Sequence, residues 1–156
     1  MKVVIFDVDG VFTTGQFLYT RDGKIGKIFG PHDADGIKLL KGKIDVHAIS
    51  ADKRGFEITK KRIEEDMGIK LTLVSEGDRL KWIQENFDPE KVVYVGDGIH
   101  DSVIFDHVGY SIAPKNAFYI TIRKANYVTK HNSGEGAVLD ACLHILEKFL
   151  GGHNFG

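Results

Sequence analysis

The chain has 156 residues, the size of one domain and long enough to bury about two-thirds of its unfolded surface. Its 21 Lys and Arg against 22 Asp and Glu leave a net charge of -1, which excludes the global basic field of a nucleic-acid or anionic-membrane binder. The single cysteine, Cys142, excludes an intramolecular disulfide framework and a cysteine-based zinc site, and glycine, 18 residues in all, is the one type in excess.

The chain opens into Val3, Val4, Ile5 and Phe6, too short an apolar run for a signal peptide, and no run approaches the roughly 18 residues of a membrane helix. A cytoplasmic protein without a membrane segment is expected. Strand-like runs cover Lys2 to Val8, Ile44 to Ser50, Leu71 to Val74, Lys91 to Val95 and Tyr110 to Ala113. Helical periods fall between and after them, at Asp35 to Lys41, Gly55 to Met67, Asp78 to Asn86, Asp101 to Val108, Asn116 to Arg123 and Gly136 to Leu150. Near-continuous hydrophobic strands alternating with helices predict one α/β domain over residues 1–156, a doubly wound, Rossmann-like parallel sheet with helices on both faces. One stretch, 12–29, breaks the alternation. Phe17, Leu18 and Tyr19, an Asp22-Gly23 turn, then Ile25, Ile28 and Phe29 read as a β-hairpin. Its large apolar residues predict packing on other subunits, and a fold back onto its own domain is the alternative.

Ligands of open parallel sheets bind beyond the carboxyl ends of the strands. The polar residues there are Asp7, Asp9, Gly10 and Thr13 after the first strand, Ser50 after the second, Gly77 and Lys81 before the third major helix, and Gly96, Asp97, Gly98 and Asp101 after the fourth strand. Carboxylates gathered on neighbouring strand ends repel one another unless a cation sits among them. Oxygen donors without a Cys or His cluster favour Mg2+. Asp7 then serves as metal ligand and as nucleophile forming an aspartyl-phosphate, and Asp9 as general acid and base. Ser50 and Lys81 supply a hydroxyl and a positive charge to the phosphoryl oxygens. Singly, each has a plainer reading: Asp-x-Asp-Gly and Gly-Asp-Gly as turns, Ser50 as a helix cap, Lys81 as a solvated lysine. A signalling receiver domain, which also gathers acids and a Lys around Mg2+, needs an Asp at the third strand's end, where Val74-Ser75-Glu76 has none.

The segments Asp7-Val8-Asp9-Gly10-Val11-Phe12-Thr13, Ser50, Gly77-x-x-x-Lys81 and Gly96-Asp97-Gly98-Ile99-His100-Asp101 resemble the four motifs of the haloacid dehalogenase superfamily. Nearly end to end, through Phe29 to Lys38, Ala113-Pro114-x-x-Ala117, Tyr127-Val128-Thr129 and Gly134 to Val138, the chain resembles the 3-deoxy-D-manno-octulosonate 8-phosphate (KDO 8-phosphate) phosphatase group. The resemblance implies a capless, Mg2+-dependent sugar-phosphate phosphatase. Its metal ligands are expected to be the Asp7 and Asp97 carboxylates and the Asp9 carbonyl, with Asp101 in or near the coordination shell. Asp9, Thr13, His32, Asp33, Lys38, Ser50 and Lys81 are its expected substrate contacts, and a homotetramer built through hairpin 12–29 its expected assembly. Thr14, Gly30 to Ala34 and Ala51-Asp52 depart from the group's pattern and remove two arginines suited to a carboxylate or phosphate. Nine-carbon sugar acid phosphates therefore stand as an alternative substrate, and a weakly active oligomerisation module as an alternative role. Half of the glycines, among them Gly10, Gly30, Gly36, Gly77, Gly96 and Gly134, fall in these motifs and are expected around the phosphate site.

Overall fold

A computed structural model describes all 156 residues, Met1–Gly156. Six parallel strands form one sheet: β1 (Val3–Asp7), β4 (Asp45–Ser50), β5 (Lys70–Leu73), β6 (Val92–Val95), β7 (Tyr110–Ala113) and β8 (Tyr127–Val128), ordered β5-β4-β1-β6-β7-β8. Beside it stands the antiparallel hairpin of β2 (Thr13–Thr20) and β3 (Gly23–Phe29). The helices are α1 (Asp33–Leu40), α2 (Phe56–Lys60), α3 (Arg79–Asn86), α4 (Ile99–Phe105), α5 (Tyr119–Lys124) and α6 (Ala137–Phe149). The expected doubly wound sheet is present, with a sixth strand, β8, that sequence periodicity does not reveal.

Alternation along the strands builds two cores. On one face Val4, Phe6, Val93 and Val95 meet Ile37 and Leu40 of α1 and Val138, Ala141, Cys142 and Ile145 of α6. On the other, Val3, Ile5, Val92 and Tyr94 meet Ile83 of α3 and Ile104 and Phe105 of α4. Strands apolar on both faces are what a parallel sheet covered on both sides requires. The α6 stripe Val138, Ala141, Cys142, Ile145 and Leu146 repeats at the helical period and is entirely buried. Helices α1 and α6 approach closely because residue 36 is glycine: a Cβ there would stand 2.9 Å from the Leu139 Cα.

The helix expected over Gly55 to Met67 begins as α2 and continues as a π-helical turn over Lys61–Asp66. The hairpin contains two register shifts, between Thr13 and Phe17 and between Leu18 and Tyr19. Bulges of this kind change which side chains share a face. Consequently Lys24 and Lys27, three residues apart, both reach inward to acidic partners, while Ile25 and Ile28 point out, each 55% exposed. The hairpin thus folds back on its own domain through its lysines, and Phe17, Leu18 and Tyr19 remain exposed with the two isoleucines. No helix is long and apolar enough to cross a membrane.

Candidate active site

In this strand order the chain's path across the sheet reverses beside β1, and the crevice at such a reversal is where doubly wound sheets bind ligands. Asp7 ends β1, while Asp97 and Asp101 follow β6, its neighbour. One carboxylate oxygen from each of Asp7, Asp97 and Asp101 lies within 4.8 Å of the others. They floor a cleft of about 670 Å³, whose wall includes Asp9, Lys24, Asp52, Glu76 and His100.

The cluster is held together by Arg79, at the first position of α3. Its Nη2 donates to Asp7 Oδ1 at 3.0 Å, and its Nη1 to Asp101 Oδ1 at 2.9 Å and to the Tyr94 hydroxyl at 3.2 Å. Tyr94 in turn donates to Asp101 Oδ1 at 2.6 Å. Asp101 Oδ2 accepts the backbone N–H groups of Asp97 and Gly98 at 3.0 and 2.9 Å. Four donors therefore occupy both Asp101 oxygens. That makes Asp101 the brace that fixes Arg79 and the 97–98 turn, rather than an open ligand. Asp7 Oδ1 accepts from Arg79 and from the Val8 amide, whereas no amide, guanidinium or hydroxyl reaches Asp7 Oδ2.

Burial, then the Asp101 charge, pushes the Asp7 carboxyl well above the usual carboxylate range, with Arg79 opposing. The same two causes raise Asp97 to about 7. One guanidinium does not neutralise three clustered carboxylates, and the available donors are all hard oxygens. This set fits a divalent cation such as Mg2+. The Asp7 and Asp97 carboxylates and the Asp9 carbonyl would hold it, supplying charge neutralisation for a transferring phosphoryl group.

Gly10 is essential to this packing. It adopts φ +81, and a Cβ on it would run into the Asp97 carboxylate. Gly15, Gly96 and Gly98 also lie at the site. The wider expectation for the motif glycines does not hold: Gly36 packs α1 on α6, Gly30 abuts the Gly134 backbone, and Gly77 faces open space.

Asp9 sits on the cleft wall, accepting from Thr13 Oγ1 at 3.3 Å and from Lys27 Nζ at 2.8 Å. Thr13 is buried, and its Oγ1 accepts the amides of Gly10 and Gly15, which fixes the loop leading into β2. Ser50 ends β4 just before the cleft-lining Ala51 and Asp52 but is itself buried and does not line the cleft, its Oγ accepting the Asp52 amide at 3.2 Å. The other expected contacts lie elsewhere. Lys81 is 75% exposed, faces Glu85 one turn on and borders a different pocket, because two residues of helix rotate it about 200° from Arg79. Arg79 supplies the cation that the Gly77-x-x-x-Lys81 spacing placed at Lys81. The available signal was the i, i+4 pairing of Arg79 with buried Ile83, which puts Arg79 on the core face of α3.

Lys38 is exposed on α1. His32, at φ 71, lines a separate cavity with Lys130 and His131. Asp33 is buried, its Oδ1 has no partner, and burial raises its carboxyl to about 7. Neither residue borders the acidic cleft within this chain.

Residues 77–141 match the family model described as haloacid dehalogenase-like hydrolase, the class that the sheet order and the acidic crevice define. The KDO 8-phosphate phosphatase of Yersinia pestis is 32% identical over 152 residues, spanning 94% of this chain and 80% of that protein. The cobalt-bound phosphatase of the same name from Haemophilus influenzae superposes with a TM-score of 0.81 at 31% identity, over 94% of this chain and 88% of that one. A Moraxella catarrhalis KDO 8-phosphate phosphatase, solved with magnesium, phosphate and KDO, gives a TM-score of 0.81 at 25% identity over 94% and 86%. The chain belongs to the haloacid dehalogenase-like hydrolases, in the group of the KDO 8-phosphate phosphatases, and is a phosphoric monoester hydrolase.

Proposed function

We propose that the chain hydrolyses the phosphomonoester of an acidic 2-keto-3-deoxy sugar, KDO 8-phosphate or a close analogue, with Mg2+ and an aspartyl-phosphate intermediate. The observation that carries this reading is the junction of Asp7, Asp97 and Asp101 beneath Arg79, with Asp9 two residues beyond the nucleophile. The free Asp7 Oδ2 attacks phosphorus, the phosphorus–oxygen bond to the sugar breaks, and Asp9 gives its proton to the departing alkoxide. Asp9 then removes a proton from water as that water attacks phosphorus, which releases inorganic phosphate and restores the Asp7 carboxylate. Arg79 and the Ser50 hydroxyl stabilise charge on the phosphoryl oxygens.

The departures at Thr14, His32, Ala34 and Asp52 bear on the sugar and leave this machinery complete, so nine-carbon sugar acid phosphates belong on the test panel. Complete machinery also argues against a purely structural module. We assign the exposed apolar side chains of the hairpin, Phe17, Leu18, Tyr19, Ile25 and Ile28, to a homotetramer contact. Purified protein with Mg2+ is expected to run as a tetramer and to release phosphate from the sugar acid panel, with loss of both metal and turnover on chelation. A monomer at working concentration removes the assembly, and no turnover of any phosphomonoester removes the function.

A further inference from the structure

Six carboxylates line the cleft, from Asp7, Asp9, Asp52, Glu76, Asp97 and Asp101, against two permanent cations, Lys24 and Arg79. Such a wall disfavours an acidic substrate unless a cation is reserved for it. Arg79 is not available to the leaving group, because it is buried at the phosphoryl end of the cleft, where its Nη1 and Nη2 bridge Asp101 and Asp7. Lys27 is not available either: its ammonium is fully buried behind the wall, shared among Asp9 at 2.8 Å, Asp52 at 2.9 Å and Thr59 Oγ1 at 2.8 Å.

Lys24 differs from both. It lines the cleft, its side chain is 11% exposed, and its Nζ has one hydrogen-bond partner, Asp52 Oδ2 at 2.6 Å. The Phe17 ring lies beneath it, 4.1 Å from Nζ to centroid, and fixes the direction from which the ammonium enters. An ammonium has three donors and one is used, so two remain for a ligand. Asp52 is an adequate anchor, since its Oδ1 accepts the Gly55 amide and its Oδ2 serves both lysines.

We propose that Lys24, brought to the cleft by the hairpin and held there by Asp52, is the specificity-determining contact for a carboxylate on the substrate's leaving group. The assignment rests on the phosphatase reading above and adds the residue that selects acidic over neutral esters.

The test compares wild type, Lys24→Met and Lys24→Arg, with Mg2+, on KDO 8-phosphate and on a matched pair, 3-phosphoglycerate and glycerol 3-phosphate. Lys24→Met is expected to raise KM for the acidic esters by about tenfold or more, the worth of a charge-assisted hydrogen bond, with kcat and the neutral ester's kcat/KM within about twofold. Lys24→Arg keeps the charge and retains most of the preference. Equal losses on acidic and neutral esters would reduce Lys24 to a structural clasp and overturn the proposal, as would an unchanged preference in Lys24→Met. A wild type inactive on KDO 8-phosphate yet selective for phosphoglycerate counts against the sugar assignment and for Lys24. An active wild type with no preference within the pair counts against Lys24 alone.

Discussion

Arg79→Met is expected to lower phosphomonoester turnover about a thousandfold or more, whereas Lys81→Ala leaves kcat/KM within about twofold. The contrast follows from position on one helix. Arg79 is buried between Asp7 and Asp101, and Lys81 lies in solvent beside Glu85. Removing the guanidinium takes charge from the phosphoryl site and also leaves two buried carboxylates without their shared partner, a loss of about 3–5 kcal/mol where such pairs are broken. Arg79→Lys separates the two effects. It keeps a positive charge without the fork that bridges Asp7 and Asp101, so it is expected to fold and to retain only part of the activity. The measurement is steady-state kinetics beside thermal melting for all three variants. A dead Lys81→Ala with an active Arg79→Met would restore the assignment that the motif spacing suggests.

Asp7→Asn is expected to abolish turnover, by about 10⁴-fold or more as for other nucleophile deletions, while stabilising the metal-free protein. Activity falls because an amide is not a competent nucleophile toward phosphorus. Stability rises because one charge leaves a crowded, buried set in which burial and Asp101 already push Asp7 well above its ordinary range. The pH dependence follows from the same crowding. Asp97 is held at about 7 in the folded protein against 3.8 in an unperturbed chain. A raised carboxyl keeps its proton where the unfolded chain has released it, so the associated stability is fully present below pH about 4 and is lost as pH rises through about 7. Metal-free wild type is therefore expected to melt at lower temperature at pH 8 than at pH 5. Mg2+ raises the pH 8 value, and Asp7→Asn reduces both the slope and the response to the ion. Melting curves at the two pH values, with and without Mg2+, check this.

Most of the scaffold is legible before any coordinates. Val3 to Phe6 and Val92 to Val95 are apolar on both faces because the sheet is covered twice, and each run gives way to acidic residues where the strands end. Asp7, Asp97 and Asp101 could be paired from those positions alone. The cation could not. Arg79 and Lys81 are both basic and close to Gly77, and only helical phase against Ile83 distinguishes them. The two-residue strand β8 is too short for any periodicity to register. The inward lysines of the hairpin were hidden by its register shifts, since an unbroken strand would place Lys24 and Lys27 on opposite faces. Thr14, Ala34 and Asp52 stand out as departures by their chemistry. What Asp52 does, anchoring two lysines from another element, depends on contacts between residues 25 and 28 positions apart.

The central claim is that phosphate passes through the Asp7 carboxylate. An acyl phosphate on that residue is reduced by borohydride at its carboxyl carbon to homoserine, with loss of phosphate, and peptide mass spectrometry locates it. With Mg2+ and a substrate under turnover, quenching with borohydride is expected to place homoserine at position 7 in wild type, and nowhere in the chain when substrate or metal is omitted. Sustained phosphate release with Asp7 unmodified, or with the reduced residue at another aspartate, would contradict it.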